Sequence, residues 1–164
     1  MFNAMTGLHH RAPGVAGAAL AHAEYAEMIP DLLHVHPGAI RASLRAIPYL
    51  YAVSDATAAT GLPDGDYHFG RTNVRKCGNG IRLADGTLAG SSLTMLQAFR
   101  NLVSLGLSIE EASRRTSAIP ARYLGEADRG RIAPGAWGDI IVLDQGLDLA
   151  GVFVEGRPIG RDPA

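Results

Sequence analysis

A single cysteine, Cys77, stands in the whole chain. That excludes an internal disulfide and a zinc site built on several thiolates. A surplus of one charge is missing too. Fifteen Lys and Arg against sixteen Asp and Glu leave a net charge of −1, with no basic block. Capture of nucleic acid or an anionic membrane surface through bulk charge is therefore not expected. No apolar run approaches the ~20 residues of a membrane-spanning helix. The first residues do not join a basic stretch to an apolar core, as a secretory signal would. These absences point to a cytoplasmic protein with neither nucleic acid nor membrane as partner, and they leave the chemistry open. What is present is 47% apolar and 19% charged residues over 164 positions, a globular composition at the size of one average domain.

Periodicity and punctuation divide the chain. Residues 1–20 are rich in Gly, Ala and His, with a turn at Arg11-Ala12-Pro13-Gly14. Residues 25–35 read as a buried strand, against which Pro30 counts because it cannot donate to a ladder. Ile40, Leu44 and Ile47 mark one face of a helix over 38–46, and Tyr49–Val53 forms a second strand. Strand, helix, strand is a βαβ unit. Over 61–90, Gly and Asp punctuate short Tyr, Phe, Val and Ile runs, the pattern of small antiparallel strands. Leu93, Leu96, Phe99, Leu102 and Val103 predict a helix over 92–105, capped by Ser91 or Ser92 and ended by Gly106. Ser108-Ile109-Glu110-Glu111 has the form of a capping box opening a second helix, and a third starts near Pro120. Residues 138–144 and 152–156 turn to β.

Several residues could carry chemistry. Asp55 follows the second strand. A carboxylate at the C-terminal end of a parallel barrel strand sits where barrel active sites lie, and it can shuttle a proton. The plainer reading is a turn or a helix N-cap, since Ala and Thr follow. His34 and His36 would share one side of a strand and could hold a metal together. Their plainer reading is one histidine bonded at the strand end and one exposed before Pro37. His9, His10 and Arg11 form a basic turn, and an arginine can grip a phosphate bidentately; a solvated turn is the default. Leu88-Ala89-Gly90 has no signal beyond a turn or helix start. Cys77 reads as an ordinary turn-region residue and Trp137 as packing.

Taken in order, Phe2-Asn3-Ala4-Met5, the Gly7-Leu8-His9-His10-Arg11 turn with Pro13-Gly14, Leu33-His34-Val35-His36-Pro37, Ser54-Asp55-Ala56 and Leu88-Ala89-Gly90-Ser91 form a series. It resembles the C-terminal part of the N-acetylglucosamine-6-phosphate deacetylases, a family of the amidohydrolase superfamily. The resemblance covers residues 1 to about 158. It implies an α/β fold: the last two strands and following helices of a (β/α)8 barrel over residues 1–125, then C-terminal strands of a small β-sandwich domain over 126–164. A whole barrel takes about 250 residues, more than this chain has.

The resemblance also implies roles. Asp55 falls on the family's catalytic aspartate. Asn3 and Ala4 match positions that meet the substrate phosphate. Arg11 matches an arginine that reaches the phosphate from the neighbouring subunit of a homodimer. His34 matches a substrate-contacting histidine, preceded by Asp31, Leu32 and Leu33 in the same contacting segment. Leu88, Ala89 and Gly90 match a substrate-contacting loop. Where the family has Ala-Asp-Gly, this chain has Pro30-Asp31-Leu32, and leucine does not allow the close backbone approach that glycine does. The family's divalent metal, zinc or iron, is held by a Glu and two His that match positions ahead of Met1, so no metal ligand is expected among these residues. The implied reaction is hydrolysis of the N-acetyl amide of an amino-sugar phosphate by the full-length parent. The alternative is a catalytically inactive remnant or interaction fragment without the metal site. Two barrel strands cannot close a barrel, so open edges and self-association are expected of the isolated chain.

Overall fold

The computed structural model describes residues 1–160. It separates into two compact units, Met1–Thr116 and the part from Ser117 onward, where the sequence suggested a change after residue 125.

The first unit opens with a tight loop and a helix, α1 (Gly14–His22). Pro13 precedes it and Thr6 caps it from a distance, its Oγ1 accepting the Val15 N–H at 2.8 Å. Sequence reading missed α1. Its Gly-Val-Ala-Gly-Ala-Ala-Leu composition carries no apolar stripe at helical spacing, and glycine lowers propensity. Next come β1 (Tyr25–Met28), α2 (Pro37–Ala46) and β2 (Tyr49–Ala52). The two strands are parallel, with Tyr25 opposite Tyr49 and Met28 opposite Ala52. This is the expected βαβ unit, with Ile40, Ile47 and Leu50 fully buried within it. The first strand is shorter than the predicted 25–35. It stops before Ile29-Pro30, because proline offers no N–H to the ladder, and residues 31–35 bend instead. The spacing argument for a His34/His36 pair therefore does not apply. His36 instead caps α2, its Nδ1 accepting the Gly38 N–H at 3.1 Å.

Leu32 lies in that bend at φ +66°. A left-handed conformation costs a leucine roughly 1–2 kcal/mol, and glycine adopts it freely.

A four-stranded antiparallel sheet follows: β3 (Gly65–Phe69), β4 (Thr72–Cys77), β5 (Gly80–Arg82) and β6 (Leu88–Ser91). Ala59, Val74 and Ile81 form its core, with Tyr67, Leu83 and Ala89 against them. Two carboxylates latch its first hairpin. Arg75 donates to both oxygens of Asp66 at 2.7 and 2.9 Å, and Asp64 accepts the Gly78 N–H at 3.0 Å and the Lys76 ammonium at 3.3 Å. The Gly78 N–H and then Lys76 hold the Asp64 carboxyl below the ordinary range, and Arg75 does the same to Asp66.

The helix α3 (Met95–Ser104) begins three residues later than predicted. Thr94 caps it, accepting the Gln97 N–H, in place of Ser91 or Ser92. Gly106, at φ +101°, ends it as expected. From α3, the Asn101 side chain donates to the Pro30 carbonyl at 2.8 Å, pinning the end of β1. Ser108 caps α4 (Ile109–Ser113) through the Glu111 N–H. Arg115, just beyond, is buried, donating to the Leu50 carbonyl at 2.6 Å and pairing with Glu111. A π-helical turn (Arg114–Ala118) leads into α5 (Ile119–Tyr123). Pro120 has no N–H to offer the preceding turn, and a widened turn accommodates that loss.

The second unit holds a three-stranded antiparallel sheet of β7 (Ile140–Leu143), β8 (Leu149–Val154) and β9 (Arg157–Pro158). The Trp137 indole N–H donates to Asp128 at 2.8 Å, with the Arg129 guanidinium 4.8 Å over the ring. Trp137 is thus a polar clasp, not core packing.

Leu32→Gly should leave stability unchanged or raise it by up to about 1 kcal/mol, the relieved strain exceeding glycine's ~0.5–1 kcal/mol chain-entropy cost. Leu32→Ile should lower it. Urea-denaturation midpoints check this, and a loss above about 1 kcal/mol on Leu32→Gly would contradict it. The hairpin latches should also titrate. Both carboxyls are depressed in the folded chain, so their support is complete above the ordinary aspartate value of about 4 and fades as pH falls through the lower folded values. Exchange of the Gly78 amide should accelerate in that acid window. An Asp64→Asn protein should show slower acid sensitivity at the same amide; an identical profile would rule the latch out.

Candidate functional site

An open cavity of about 690 Å³ lies in the first unit, where the opening loop, the segments following β1 and β2, and the antiparallel sheet converge. Asn3 and Ala4 line it from the opening loop, and Ile29 and His34 from the segment after β1. Asp55, Ala56 and Thr57 line it after β2. The sheet contributes Phe69, Arg82, Thr87, Leu88, Ala89 and Gly90.

Asp55 sits at φ +49°, a strained position for a non-glycine residue. Two backbone hydrogen bonds hold it there. Its carbonyl accepts the Ser91 N–H at 2.8 Å and the Ser91 carbonyl accepts the Thr57 N–H at 2.9 Å, which together make a parallel bridge between Ala56 and Ser91. Ser54 Oγ accepts the Ala56 N–H at 3.2 Å and closes the turn. Asp55 is not an N-cap, since no helix follows it. No hydrogen bond among the described residues engages its carboxylate, which leaves the oxygens available to a ligand.

Gly90 explains the neighbouring loop. Between Arg82↔Leu88 and Gly80↔Ser91, β6 carries one more residue than β5, a bulge. Gly90 has φ +110°, and a Cβ there would stand 2.8 Å from Thr57 Cγ2 and 3.6 Å from Asp55 Oδ2. Only glycine meets both conditions.

His34 has a side chain 5% exposed, with its Nδ1 2.6 Å from Asp31 Oδ2. Asp31 Oδ1 accepts the N–H groups of Leu33 at 3.0 Å and His34 at 2.9 Å. The opening loop is anchored through the Met1 amine, which donates to the Glu27 carbonyl of β1. Burial pushes that amine below its ordinary value, with Glu27 opposing. Phe2 and Ala4, on either side of Asn3, both adopt positive φ.

The structure therefore gathers Asn3, Ala4, His34, Asp55, Leu88, Ala89 and Gly90 around one space. Asp31, Leu32 and Leu33 do not line it: the Asp31 side chain is fully buried, and both leucines are exposed. Arg11 does not line it either. It lies exposed in the turn closed by the His9–Ala12 bridge. Sequence reasoning missed Phe69 and Arg82. Strand alternation carries the signal for Arg82: Ile81 is fully buried, so its neighbour must face the other way. Among the described residues, no group of three or more His, Cys, Asp or Glu could hold a metal ion. With His34 Nδ1 committed to Asp31, the residues present do not make a metal site by themselves.

Comparison with known proteins identifies the family. The amidohydrolase family pattern matches residues 87–153. A protein of Escherichia coli K12, named provisionally as an N-acetylgalactosamine-6-phosphate deacetylase, is 39% identical over 160 residues, spanning 95% of this chain and 96% of its own length. The N-acetylglucosamine-6-phosphate deacetylase of Vibrio furnissii is 37% identical over 95% of this chain but 40% of its own. The solved structure of a Mycobacterium smegmatis N-acetylglucosamine-6-phosphate deacetylase variant, in complex with N-acetylglucosamine 6-phosphate, superposes with a TM-score of 0.86. Identity there is 34%, over 96% of this chain and 44% of that one. The chain thus spans about two fifths of the length of these longer relatives. Matched almost end to end by a relative at 39% identity, it belongs to the N-acetylglucosamine-6-phosphate deacetylase family of amidohydrolases.

Proposed function

We propose that this chain supplies the proton-shuttling carboxylate and the phosphate side of the substrate site in a deacetylase of N-acetylhexosamine 6-phosphates, N-acetylglucosamine 6-phosphate first among them. The observation that carries the reading is the Asp55 carboxylate, without a partner among the described residues, in one cavity with Asn3, His34 and Gly90. In this reading β1 and β2 are the last two strands of a (β/α)8 barrel completed by other parts of the parent. The sheet of the second unit is the C-terminal share of a small β-sandwich. Asp55 then stands at the C-terminal end of a barrel strand, the active face of such folds.

Amide hydrolysis needs an attacking water relieved of a proton and an amine that leaves protonated. The Asp55 carboxylate does both in turn. It accepts a proton from the water as the new C–O bond forms, then returns it to nitrogen as the C–N bond breaks. Acetate and the free amino-sugar phosphate are the products. Gly90 leaves room for the acetamido group beside the carboxylate. Asn3, Ala4 and His34 hold the phosphoryl end, and Arg11, exposed on its turn, reaches the phosphate of a partner subunit in a homodimer.

In the complete parent enzyme, Asp55→Asn should cut kcat about 10²–10⁴-fold with KM little changed, because asparagine keeps the shape and cannot accept the proton. Acetate release at saturating substrate reads this directly; a variant within a few-fold of the parent would remove Asp55 from the mechanism. Arg11→Ala and His34→Ala should instead weaken phosphorylated substrate by roughly 1.5–3 kcal/mol each, the value of a charge-assisted bond. Unphosphorylated N-acetylglucosamine should be turned over as before. Equal losses on both substrates would mean that neither side chain reads the phosphate.

A further inference from the structure

Asp31 does not reach the cavity, yet its carboxylate is fully used. Its side chain is 0% exposed, Oδ1 accepts two backbone N–H groups, and Oδ2 stands 2.6 Å from His34 Nδ1. A carboxylate oxygen that close to a ring nitrogen requires a proton between them. The bond one ring nitrogen makes decides what the other can do. With Nδ1 committed as a donor, Nε2 is the side-chain polar atom left to His34 at the cavity it lines. The loop bearing both residues is fixed from behind, where Asn101 donates to the Pro30 carbonyl.

We propose that Asp31 is a positioning residue. It locks the His34 ring so that Nε2, protonated, donates to an anionic oxygen of the bound ligand. In the functional reading above, on which this inference rests, that oxygen belongs to the phosphoryl group. The carboxylate fixes the ring from one side while the anion meets it from the other, and a ring already held in place loses no rotamer freedom on binding. A charge-assisted donor of this kind is about twice as strong as a neutral one.

Asp31→Asn separates this role from a merely structural latch. Asparagine keeps an oxygen to accept the Leu33 and His34 N–H groups, but it presents an NH₂ to Nδ1. Nδ1 must then accept, and the ring carries its proton on Nε2 alone. Nitrogen-resolved NMR of the imidazoles in the 164-residue protein reads this, with His34 assigned by its loss in His34→Gln. The probes are inorganic phosphate and N-acetylglucosamine 6-phosphate.

In the native protein, Nδ1 should carry a proton and both probes should shift Nε2. In Asp31→Asn, the backbone amides of Leu33 and His34 should persist, Nδ1 should lose its proton while Nε2 keeps one, and the affinity for both probes should fall about tenfold. An unchanged ring state or unchanged affinity in the variant would overturn the proposal. Should the variant not fold, the native protein decides alone: an unprotonated Nδ1, or an Nε2 moved by neither probe, would overturn it. A native Nε2 moved by inorganic phosphate but not by the sugar phosphate would support the role of Asp31 and contradict the functional reading instead.

Discussion

The short parallel bridge at Ser91 holds the site together. Its N–H reaches the Asp55 carbonyl and its carbonyl takes the Thr57 N–H, so the end of β6 is stitched to the turn after β2. Ser91 is fully buried, and its Oγ accepts the Leu93 N–H at 2.7 Å, which also fixes the lead into α3. That stitch ties the antiparallel sheet to the parallel pair. With it, the bulge at Ala89–Gly90 faces the Asp55 carboxylate and a cavity opens between them. An unpaired buried backbone group costs about as much as a lost hydrogen bond, so this junction has little freedom to slide.

Strain gathers around the same cavity. Of the six non-glycine residues at positive φ among the described residues, Phe2, Ala4, Leu32 and Asp55 lie in or beside its walls, and Leu147 and Glu155 lie in turns of the other unit. Such conformations persist only where surrounding contacts over-determine them. Here those contacts are visible: the Met1 amine on Glu27, the Asp31 carboxylate on Leu33 and His34, and the Ser91 bridge on Asp55. The loops that present polar groups to a ligand are thus held from behind by groups that never touch it.

Much of the architecture was legible in the sequence, for identifiable reasons. The βαβ unit showed through Ile40, Ile47 and the Tyr49–Val53 run because one face is buried. The antiparallel sheet showed through its Gly and Asp punctuation. The helix α1 was invisible because alanine and glycine carry no face. The extent of β1 was overread because its apolar run continues past the point where Pro30 ends hydrogen bonding. In the site, Asp55 and His34 stood out as residue types. Arg82 shows only through alternation beside the buried Ile81, and Phe69 did not stand out because its place on the cavity depends on a register that no short motif encodes. Residues 31–33 fall in the right loop but not on the cavity; the sequence could not show that the Asp31 carboxylate turns inward.

The most direct test is a crystal structure of this chain grown with N-acetylglucosamine 6-phosphate. The account expects the ligand in the cavity of the first unit, its phosphoryl group against Asn3, Ala4 and His34 and its acetamido group beside Asp55 and Gly90. A ligand bound elsewhere, or one turned so that the phosphoryl group meets the Asp55 carboxylate, would contradict it.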